Sequence, residues 1–216
     1  MKIEVAGEEL VLLPQRAALW QRERTLLVAD AHWGKAATFR AFGVPVPRGT
    51  TLEGLQRLDA MIEQHAPRRI LFLGDLLHAR QGRVPATLQT VRAWREQHAG
   101  IEMTLVRGNH DRGAGDPPDE LRIHCVDEPL AEAPFAFCHH PRTSVSGFVV
   151  AGHIHPAVTL RGRAEQRERL PCFLVRPDLM ILPAFGSFTG HGDVVPVRGD
   201  AVYVIADGEV LNVNSH

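Results

Sequence analysis

The stretch MTLVRGNHD, residues 103–111, places three polar side chains directly after an apolar run. Asn109, His110 and Asp111 follow residues that are typical of a buried strand, and a buried polar cluster is costly unless each member has a partner. The three side chains offer an amide oxygen, an imidazole and a carboxylate. Because such groups bind divalent metal ions, the stretch predicts a metal site at the end of a strand.

Four other apolar runs end in the same way, with a polar residue that can bind metal or phosphate. They are TLLVAD (25–30), RILFLGD (69–75), FAFCHH (135–140) and FVVAGH (148–153). Two helical patterns separate the early runs. Residues 50–66 carry an apolar face behind a capping-box spacing of Thr50 and Glu53, and residues 85–99 begin with Pro85, which suits a first helical turn. This alternation predicts a sheet with helices on its faces and ligand sites at the carboxyl ends of its strands.

The two ends of the chain favour further strands. Residues 3–13 are typical of a hairpin whose turn lies near Gly7, and residues 172–213 consist of short apolar runs separated by glycine and proline. Because 216 residues suit one domain with a full core, and no linker or repeat interrupts them, we expect a single domain over residues 1–216. The expected fold class is α/β (α+β), with two packed β-sheets flanked by helices.

Composition narrows the classes of function. A formal net charge of −1 argues against a protein whose whole surface binds nucleic acid, although it leaves room for a local basic patch. Cys125, Cys138 and Cys172 are odd in number and form no CxxC pair, which fits a reducing compartment. The first ten residues carry charges where a signal peptide needs an apolar core, and no apolar run approaches the length of a membrane span. We therefore expect a cytoplasmic protein with no membrane partner.

The polar residues at the strand ends form a ligand set for metal. Carboxylates, an amide oxygen and imidazoles, with no thiolate among them, suit Mn, Fe or Zn. Two ions about 3.5–4 Å apart need one ligand that spans both, and a carboxylate can do so. Asp75, which ends the middle run after Gly74, is our candidate for the bridging ligand. The other candidate ligands are Asp30, His32, Asn109, His139 or His140, His153 and His155.

These motifs resemble the signature of the calcineurin-like metallophosphoesterases. The matching blocks are D30-A-H32, G74-D75, G108-N109-H110-D111, a histidine on the next strand, and G152-H153-I-H155. The resemblance spans residues 30–155 and implies a β-sandwich flanked by helices. It also implies two divalent metal ions, of which Mn is the expected one, with Fe or Zn as alternatives.

The resemblance assigns each candidate ligand to one of the two ions. The first ion would be held by Asp30, His32, Asp75 and His155. The second ion would be held by Asp75, Asn109, His153 and a histidine of FCHHP. Family members with the pattern His-x-Pro use the histidine that corresponds to His139, so His139 is favoured here, with His140 as the alternative.

The same resemblance implies hydrolysis of a phosphodiester. A hydroxide that bridges the two metals would attack phosphorus. His110 would act as the general acid that protonates the leaving oxygen. Asp111 would fix the tautomer of His110, as an orienting carboxylate commonly does.

Three longer stretches make the chain similar to one subfamily, the ligase-associated DNA damage response endonucleases known as PdeM. They are ADAHWGKAATFRAFGVPVPRG (29–49), LLPQRAALW (12–20) and LPAFGSFTG (182–190). This likeness implies a DNA substrate and a functional association with a DNA ligase, a helicase and an exonuclease. Lys35, Arg40 and Arg112 lie beside the motifs and would contact flanking phosphates, unless they form surface ion pairs. Trp33 and Phe39 are the aromatic residues near the motifs that would stack on bases.

Our leading hypothesis is a two-metal phosphodiesterase or endonuclease of DNA repair. One alternative is the same chemistry on a small phosphodiester or phosphomonoester. Another is a metal-bound scaffold that recruits a ligase or nuclease and catalyses little. The sequence leaves open the native metal and the choice between internal and end cleavage. It also leaves open whether the tail covers a sheet edge or faces the second subunit of a homodimer.

Overall fold

The computed structural model describes residues 1–142, 147–161, 167–190 and 192–213, and within them the chain forms two β-sheets and four α-helices. The strands of the first sheet, in spatial order, are β1 (Lys2–Val5), β2 (Glu8–Leu13), β3 (Ala17–Trp20), β4 (Thr25–Val28), β5 (Arg69–Leu73), β6 (Glu102–Val106) and β7 (His124–Val126). The helices are α1 (Lys35–Ala41), α2 (Thr50–His65), α3 (Pro85–Gln97) and α4 (Asn109–Ala114). The strands of the second sheet, in chain order, are β8 (Leu130–Glu132), β9 (Phe135–Phe137), β10 (Phe148–Ala151), β11 (Pro156–Arg161), β12 (Arg167–Val175), β13 (Leu179–Ile181), β14 (Gly192–Asp193), β15 (Ala201–Ala206) and β16 (Glu209–Asn212). None of the helices in these ranges is long and apolar enough to cross a membrane.

The first sheet brings the early motifs to one edge. Strands β1 to β4 form an antiparallel meander, and β4, β5, β6 and β7 then run parallel to one another. The register pairs Leu26 with Ile70, and Ile70 with Met103. Because parallel strands end at the same edge of a sheet, the motifs that follow β4, β5 and β6 come together there.

The second sheet supplies the remaining motifs in the same manner. Its strand order is β14-β11-β12-β13-β10-β9-β8, with β15 beside β12 and β16 beside β15. Strands β9 and β10 are parallel, and the register pairs Phe137 with Val150. The FCHH and GHIH motifs, which follow these two strands, therefore lie next to each other.

The two sheets pack face to face around an aromatic core. Phe135, Phe137 and Phe173 of the second sheet contact the face of the first sheet that carries Trp20, and the Trp20 and Phe135 ring centroids lie 4.9 Å apart. The opposite face of the first sheet packs against the apolar faces of α2 and α3, among them Leu58. The prediction of two packed sheets flanked by helices is confirmed.

The local structure differs from the sequence prediction at the start of α2. The helix begins at Thr50, so Thr50 is already helical, and the residue before it, Gly49, takes the left-handed conformation (φ 97) with no side-chain cap. The predicted capping box of Thr50 and Glu53 is therefore not formed. The neighbouring Thr51 hydroxyl instead accepts a hydrogen bond from the Gly34 N–H at 3.1 Å, which ties α2 to the loop before α1.

Candidate metal centre

The ends of β4, β5, β6, β9 and β10 bring nine titratable side chains into one cluster. In each of four groups of three, the ligand atoms lie within 4.8 Å of one another. The groups are Asp30, His32 and His155; Asp30, Asp75 and His139; His139, His140 and His153; and His32, His78 and His110. The structure thus brings together all the predicted aspartate and histidine ligands, although the first and last, Asp30 and His155, are 125 residues apart in the chain.

Asp30 supplies a direct test of whether these residues fit a metal ion. Its side chain is fully buried, and its Oδ1 has no hydrogen-bond partner among the described residues. The Oδ1 lies 3.4 Å from His155 Nε2, while Oδ2 accepts a hydrogen bond from the His153 N–H at 2.9 Å. A buried carboxylate oxygen without a partner is costly, and a cation held jointly with His32 and His155 would compensate it. The residues therefore fit a divalent metal.

His139 is oriented for a second group of ligands. Its Nδ1 donates to the carbonyl oxygen of Leu73 at 3.1 Å, so the other ring nitrogen, Nε2, is left to bind. That Nε2 lies 2.9 Å from Asn109 Oδ1 and 3.0 Å from His153 Nδ1. The next residue, His140, points its Nδ1 at Glu128 Oε1, 2.9 Å away. The geometry therefore favours His139 over His140 for the predicted role.

Asp75 lies between the two groups. Its Oδ1 accepts a hydrogen bond from the His110 N–H at 2.9 Å and lies 3.5 Å from His139 Nε2. Its Oδ2 lies 3.9 Å from His32 Nε2. One oxygen therefore faces the group that contains His139, and the other faces the group that contains His32.

The backbone of the cluster is strained where the ligands are presented. Five candidate ligands have a positive backbone φ, which residues other than glycine rarely adopt. They are Asp30 (56), His32 (47), Asp75 (51), His153 (71) and His155 (53). Strain of this kind collects at functional sites, where the surrounding fold enforces it.

At two glycines the absence of a side chain makes room for a neighbouring candidate ligand. A Cβ at Gly74, which has φ +80, would overlap the His139 ring. A Cβ at Gly108 would overlap the Asp75 carboxylate. The glycine in each of the GD and GNHD motifs is therefore required by the close approach of a neighbouring ligand.

Burial lowers the pKa of three candidate ligands, His32, His139 and His153, and so favours the neutral rings that metal ligation requires. At His155 the hydrogen bond and the charge of Asp30 outweigh burial and raise the pKa. Burial and the charge of Asp30 raise the pKa of Asp75. The pKa of His78 falls to about 4 because of burial and the charges of Lys35 and His110.

The predicted partnership of Asp111 with His110 is corrected by the structure. Asp111 is buried and accepts hydrogen bonds from the N–H groups of Leu77 at 3.1 Å and Gly108 at 2.9 Å, so it fixes the turn that begins α4. His110 Nδ1 bonds instead with the carbonyl oxygen of His78 at 2.8 Å. The carboxylate satisfies backbone donors that would otherwise be buried without a partner, and a carbonyl takes over the orientation of the imidazole.

The predicted phosphate contacts fall into two groups. Lys35 lies at the site, where burial lowers its pKa against the charges of Asp30 and Asp75. Arg40 donates to the carbonyl oxygen of Pro47 at 3.1 Å, and Arg112 pairs with Asp127 at 3.2 Å. Both arginines therefore already have protein partners.

The two aromatic residues predicted to stack on bases differ in burial. Trp33 is 2% exposed and packs against Phe72 and Trp94, so it belongs to the core and is not available to stack on a base. Phe39 is half-buried and lies edge-on to His78, with ring centroids 5.8 Å apart. It remains at the edge of the cluster.

Glu128 is a site residue that the sequence did not reveal. Its carboxylate accepts hydrogen bonds from the N–H groups of His139 at 2.8 Å and His140 at 3.0 Å, and it pairs with Arg142 at 2.6 Å. It therefore holds the turn that presents His139. No motif marks Glu128, because its role depends on a contact made across eleven positions of an irregular segment.

Comparisons with known proteins agree with this geometry. The family model described as calcineurin-like phosphoesterase matches residues 23–164. Among solved structures, the chain is similar to the Pseudomonas putida nuclease MPE, with 43% identity, 99% of each chain covered and a TM-score of 0.88. It is also similar to Yfce, a phosphoesterase from E. coli, with 16% identity, coverage of 88% of this chain and 97% of that one, and a TM-score of 0.39. A search of curated proteins found no match.

Proposed function

Because the chain belongs to the calcineurin-like phosphoesterase family, it is a metal-dependent phosphoesterase, and we propose that it is a two-metal nuclease of DNA repair. The observation that carries this proposal is the position of the Asp75 carboxylate. Its two oxygens face different groups of ligands, at 3.5 Å from His139 Nε2 and 3.9 Å from His32 Nε2. A carboxylate so placed suits a bridge between two ions.

The proposed ligand sets follow from that bridge. Asp30, His32 and His155 complete the first site with Asp75, and Asn109, His139 and His153 complete the second. The absence of cysteine from these sets favours Mn, with Fe or Zn as alternatives. Bound divalent ions would activate water and stabilise the negative charge that develops on phosphorus.

The chain's own residues would perform the proton transfer and the positioning. His110 would act as the general acid; the bond between its Nδ1 and the His78 carbonyl supports this role, because it leaves Nε2 to exchange a proton. The N–H of the same residue holds Asp75, so one turn of backbone fixes both the acid and the bridging carboxylate. Lys35, beside Asp30 and Asp75, would contact a phosphoryl oxygen.

The proposed DNA substrate is supported by the likeness to a nuclease. The chain is 43% identical to the Pseudomonas putida nuclease MPE over 99% of both chains. The motifs shared with PdeM-like enzymes extend this proposal to DNA repair and to a functional association with a ligase, a helicase and an exonuclease. Cys125, Cys138 and Cys172 are free thiols, which supports the proposed cytoplasmic location.

The test is a hydrolysis assay on Mn-loaded protein with three substrates: bis-p-nitrophenyl phosphate, single-stranded DNA and duplex DNA, each over a salt series. Asp75→Asn and His110→Ala are compared with Asp207→Asn, an exposed residue in the turn between β15 and β16. We expect DNA cleavage that falls with salt and is lost in the two site variants only. Cleavage of the small diester alone would contradict the DNA proposal. Metal binding without turnover on any substrate would favour the scaffold.

A further inference from the structure

Besides the metal centre, a second pocket brings together two stretches of sequence that supply no candidate metal ligand. It is a cavity of about 440 Å³ lined by Arg16, Glu53, Arg57, Ser187, Phe188 and Thr189. Arg16 comes from LLPQRAALW, at the turn between β2 and β3, and the last three residues come from LPAFGSFTG. These stretches lie far apart in the chain, and we call their meeting place the Arg16–Arg57 pocket.

The two guanidinium groups of this pocket are held by main-chain carbonyl oxygens. Arg57 donates to the carbonyl oxygen of Phe185 at 2.6 Å and lies 4.3 Å over the Phe185 ring, and Arg16 lies 3.5 Å from the carbonyl oxygen of Ala184. Neither forms an ion pair with a carboxylate in the part of the chain that the structure describes. The hydrogen-bond partners that fix the two guanidinium groups are neutral, so these contacts leave both positive charges in place beside the pocket.

The electrostatics of the pocket favour an anion. Burial lowers the pKa of Arg16, and burial together with the charge of Arg16 lowers the pKa of Arg57 to about 10. The acid in the lining, Glu53, is exposed and raises the pKa of Arg57 without offsetting these effects. Two half-buried like charges are unfavourable for the fold unless an anion joins them. Guanidinium groups match the oxygens of a phosphate in a bidentate manner.

The pocket adjoins the first group of metal ligands. The N–H of Gly186 donates to the carbonyl oxygen of Asp30 at 2.9 Å, and the carbonyl oxygen of Gly190 accepts from His155 Nδ1 at 2.9 Å. Ser187, Phe188 and Thr189 form the short bridge between these two contacts. The backbone at Gly186 lies so close to the loop after β4 that a Cβ at Gly186 would be 2.8 Å from the carbonyl oxygen of Ala31. A ligand in the pocket would therefore be a neighbour of a phosphate held at the metals.

We propose that the Arg16–Arg57 pocket binds a backbone phosphate of a nucleic-acid strand, next to the phosphodiester that is cleaved. Phe188, which is 55% exposed at the rim, would stack on a base of the same strand. The proposal rests on the proposed nuclease function and deepens it. A small diester has a single phosphate, which the metal centre holds, so it leaves this pocket empty. The pocket thus selects a polynucleotide over a small diester.

The experiment compares two variants of the partly exposed Ser187, and one charge-removing variant in the pocket with one outside it. Ser187→Asp adds a negative charge to the pocket and keeps both arginines, and Ser187→Asn is its uncharged isostere. Arg16→Gln removes a charge from the pocket, and Arg68→Gln removes one from an exposed position before β5, at the opposite edge of the sheet. Thermal unfolding midpoints establish that all four variants fold.

We expect Ser187→Asp and Arg16→Gln to lower kcat/KM for single-stranded DNA by about five- to tenfold, because a charge-assisted phosphate contact is lost. The slope of log affinity against log salt falls by about 1 in Arg16→Gln. Cleavage of bis-p-nitrophenyl phosphate stays at the wild-type rate in every variant. Ser187→Asn loses less activity on DNA than Ser187→Asp, because it adds volume without charge, and Arg68→Gln, which lies outside the pocket, cuts DNA like the wild type.

Two different failures can be told apart. If the wild type cuts the small diester but neither binds nor cuts DNA, the proposed nuclease function is wrong, and the phosphate site is wrong with it. If the wild type cuts DNA and Ser187→Asp matches Ser187→Asn in rate and salt slope, only the pocket proposal is overturned. Equal losses on DNA and on the small diester would also overturn it, because the pocket would then act on the metal centre and not on a strand.

Discussion

His110 Nδ1 lies 2.8 Å from the carbonyl oxygen of His78, and the two imidazole rings are stacked with centroids 4.7 Å apart. A carbonyl oxygen only accepts, so Nδ1 of His110 carries a hydrogen and Nε2 is the atom that can exchange a proton. That Nε2 lies 3.9 Å from Asp75 Oδ2. The orientation of the proposed acid is therefore set by a main-chain oxygen and by ring stacking.

The first prediction concerns the leaving group. His110→Ala removes the proton donor, so kcat for a DNA phosphodiester, whose leaving alkoxide needs protonation, should fall by about 10²- to 10⁴-fold. Bis-p-nitrophenyl phosphate should lose much less, since p-nitrophenolate leaves readily as an anion. The measurement is kcat on both substrates, with the exposed His124→Ala as control. An equal loss on both substrates would assign His110 to binding rather than to acid catalysis.

The second prediction separates backbone strain from the clash at the metal centre. Gly74 (φ +80) and Gly7 (φ +77) have nearly the same backbone conformation, but only at Gly74 would a Cβ overlap a neighbour, the His139 ring. Gly7→Ala should lower the free energy of unfolding by about 1–2 kcal/mol, because alanine disfavours this conformation, and Gly74→Ala should lower it further because of the overlap. Gly74→Ala should also weaken Mn²⁺ binding, as measured by calorimetric titration. Wild-type Mn²⁺ affinity in Gly74→Ala would contradict the proposed role of His139.

The fold was predictable where periodicity is strong. The five apolar runs that end in polar residues correspond to β4, β5, β6, β9 and β10, and Pro85 begins α3 as predicted. In each run the strand ends before the polar residue, and after β4, β5 and β10 the chain turns into the left-handed conformation to present the ligand, at Asp30 (φ 56), Asp75 (φ 51) and His153 (φ 71). Hydrophobic pattern locates the strands, but it carries no information on such turns.

The candidate site was predictable where the residue type and its position after a strand together indicate metal binding. Carboxylates and imidazoles after strands indicated the cluster, but the partners of Asp111 and Arg112 depend on which backbone donor or acid the fold places beside them. Glu128 lies in no motif, and the stretch that contains Phe188 indicated a family likeness but no role for that residue. The proximity of both to the site arises from contacts between distant segments. Sequence spacing predicts which motifs share an edge of a sheet. It does not predict which neighbouring group a long side chain contacts.

The third prediction concerns the contact between the two sheets. Arg69 of β5 donates to both carboxylate oxygens of Glu132 in β8, at 2.7 and 2.6 Å, and both side chains are mostly buried. Glu132→Gln leaves the guanidinium without its counter-ion and should lower the free energy of unfolding by about 1–3 kcal/mol in a denaturant titration. The matched change Glu120→Gln, in an exposed pair with Arg92 at 3.4 Å, should have a much smaller effect. Equal effects would mean that the inter-sheet pair contributes nothing beyond a surface contact.

The fourth prediction follows from the charge of Asp75 in the absence of metal. Burial and the neighbouring Asp30 raise the pKa of Asp75, so the folded state binds this proton more tightly than the unfolded chain. The ionised carboxylate therefore destabilises the fold at neutral pH, and this loss grows as pH rises from the unfolded pKa to the folded one. Asp75→Asn removes the charge, and its side-chain oxygen can still accept the hydrogen bond from the His110 N–H.

In chelator at neutral pH, Asp75→Asn should consequently unfold at a higher temperature than the wild type. Mn²⁺ should reverse the order, because binding to the wild type adds about 2.7 kcal/mol when the free ion is at a hundred times its dissociation constant, whereas the variant lacks the bridging charge. Scanning calorimetry with and without the ion measures both, and Asp207→Asn should behave like the wild type throughout. A variant that is less stable than the wild type in chelator would mean that attraction to the surrounding histidines outweighs the repulsion between Asp75 and Asp30.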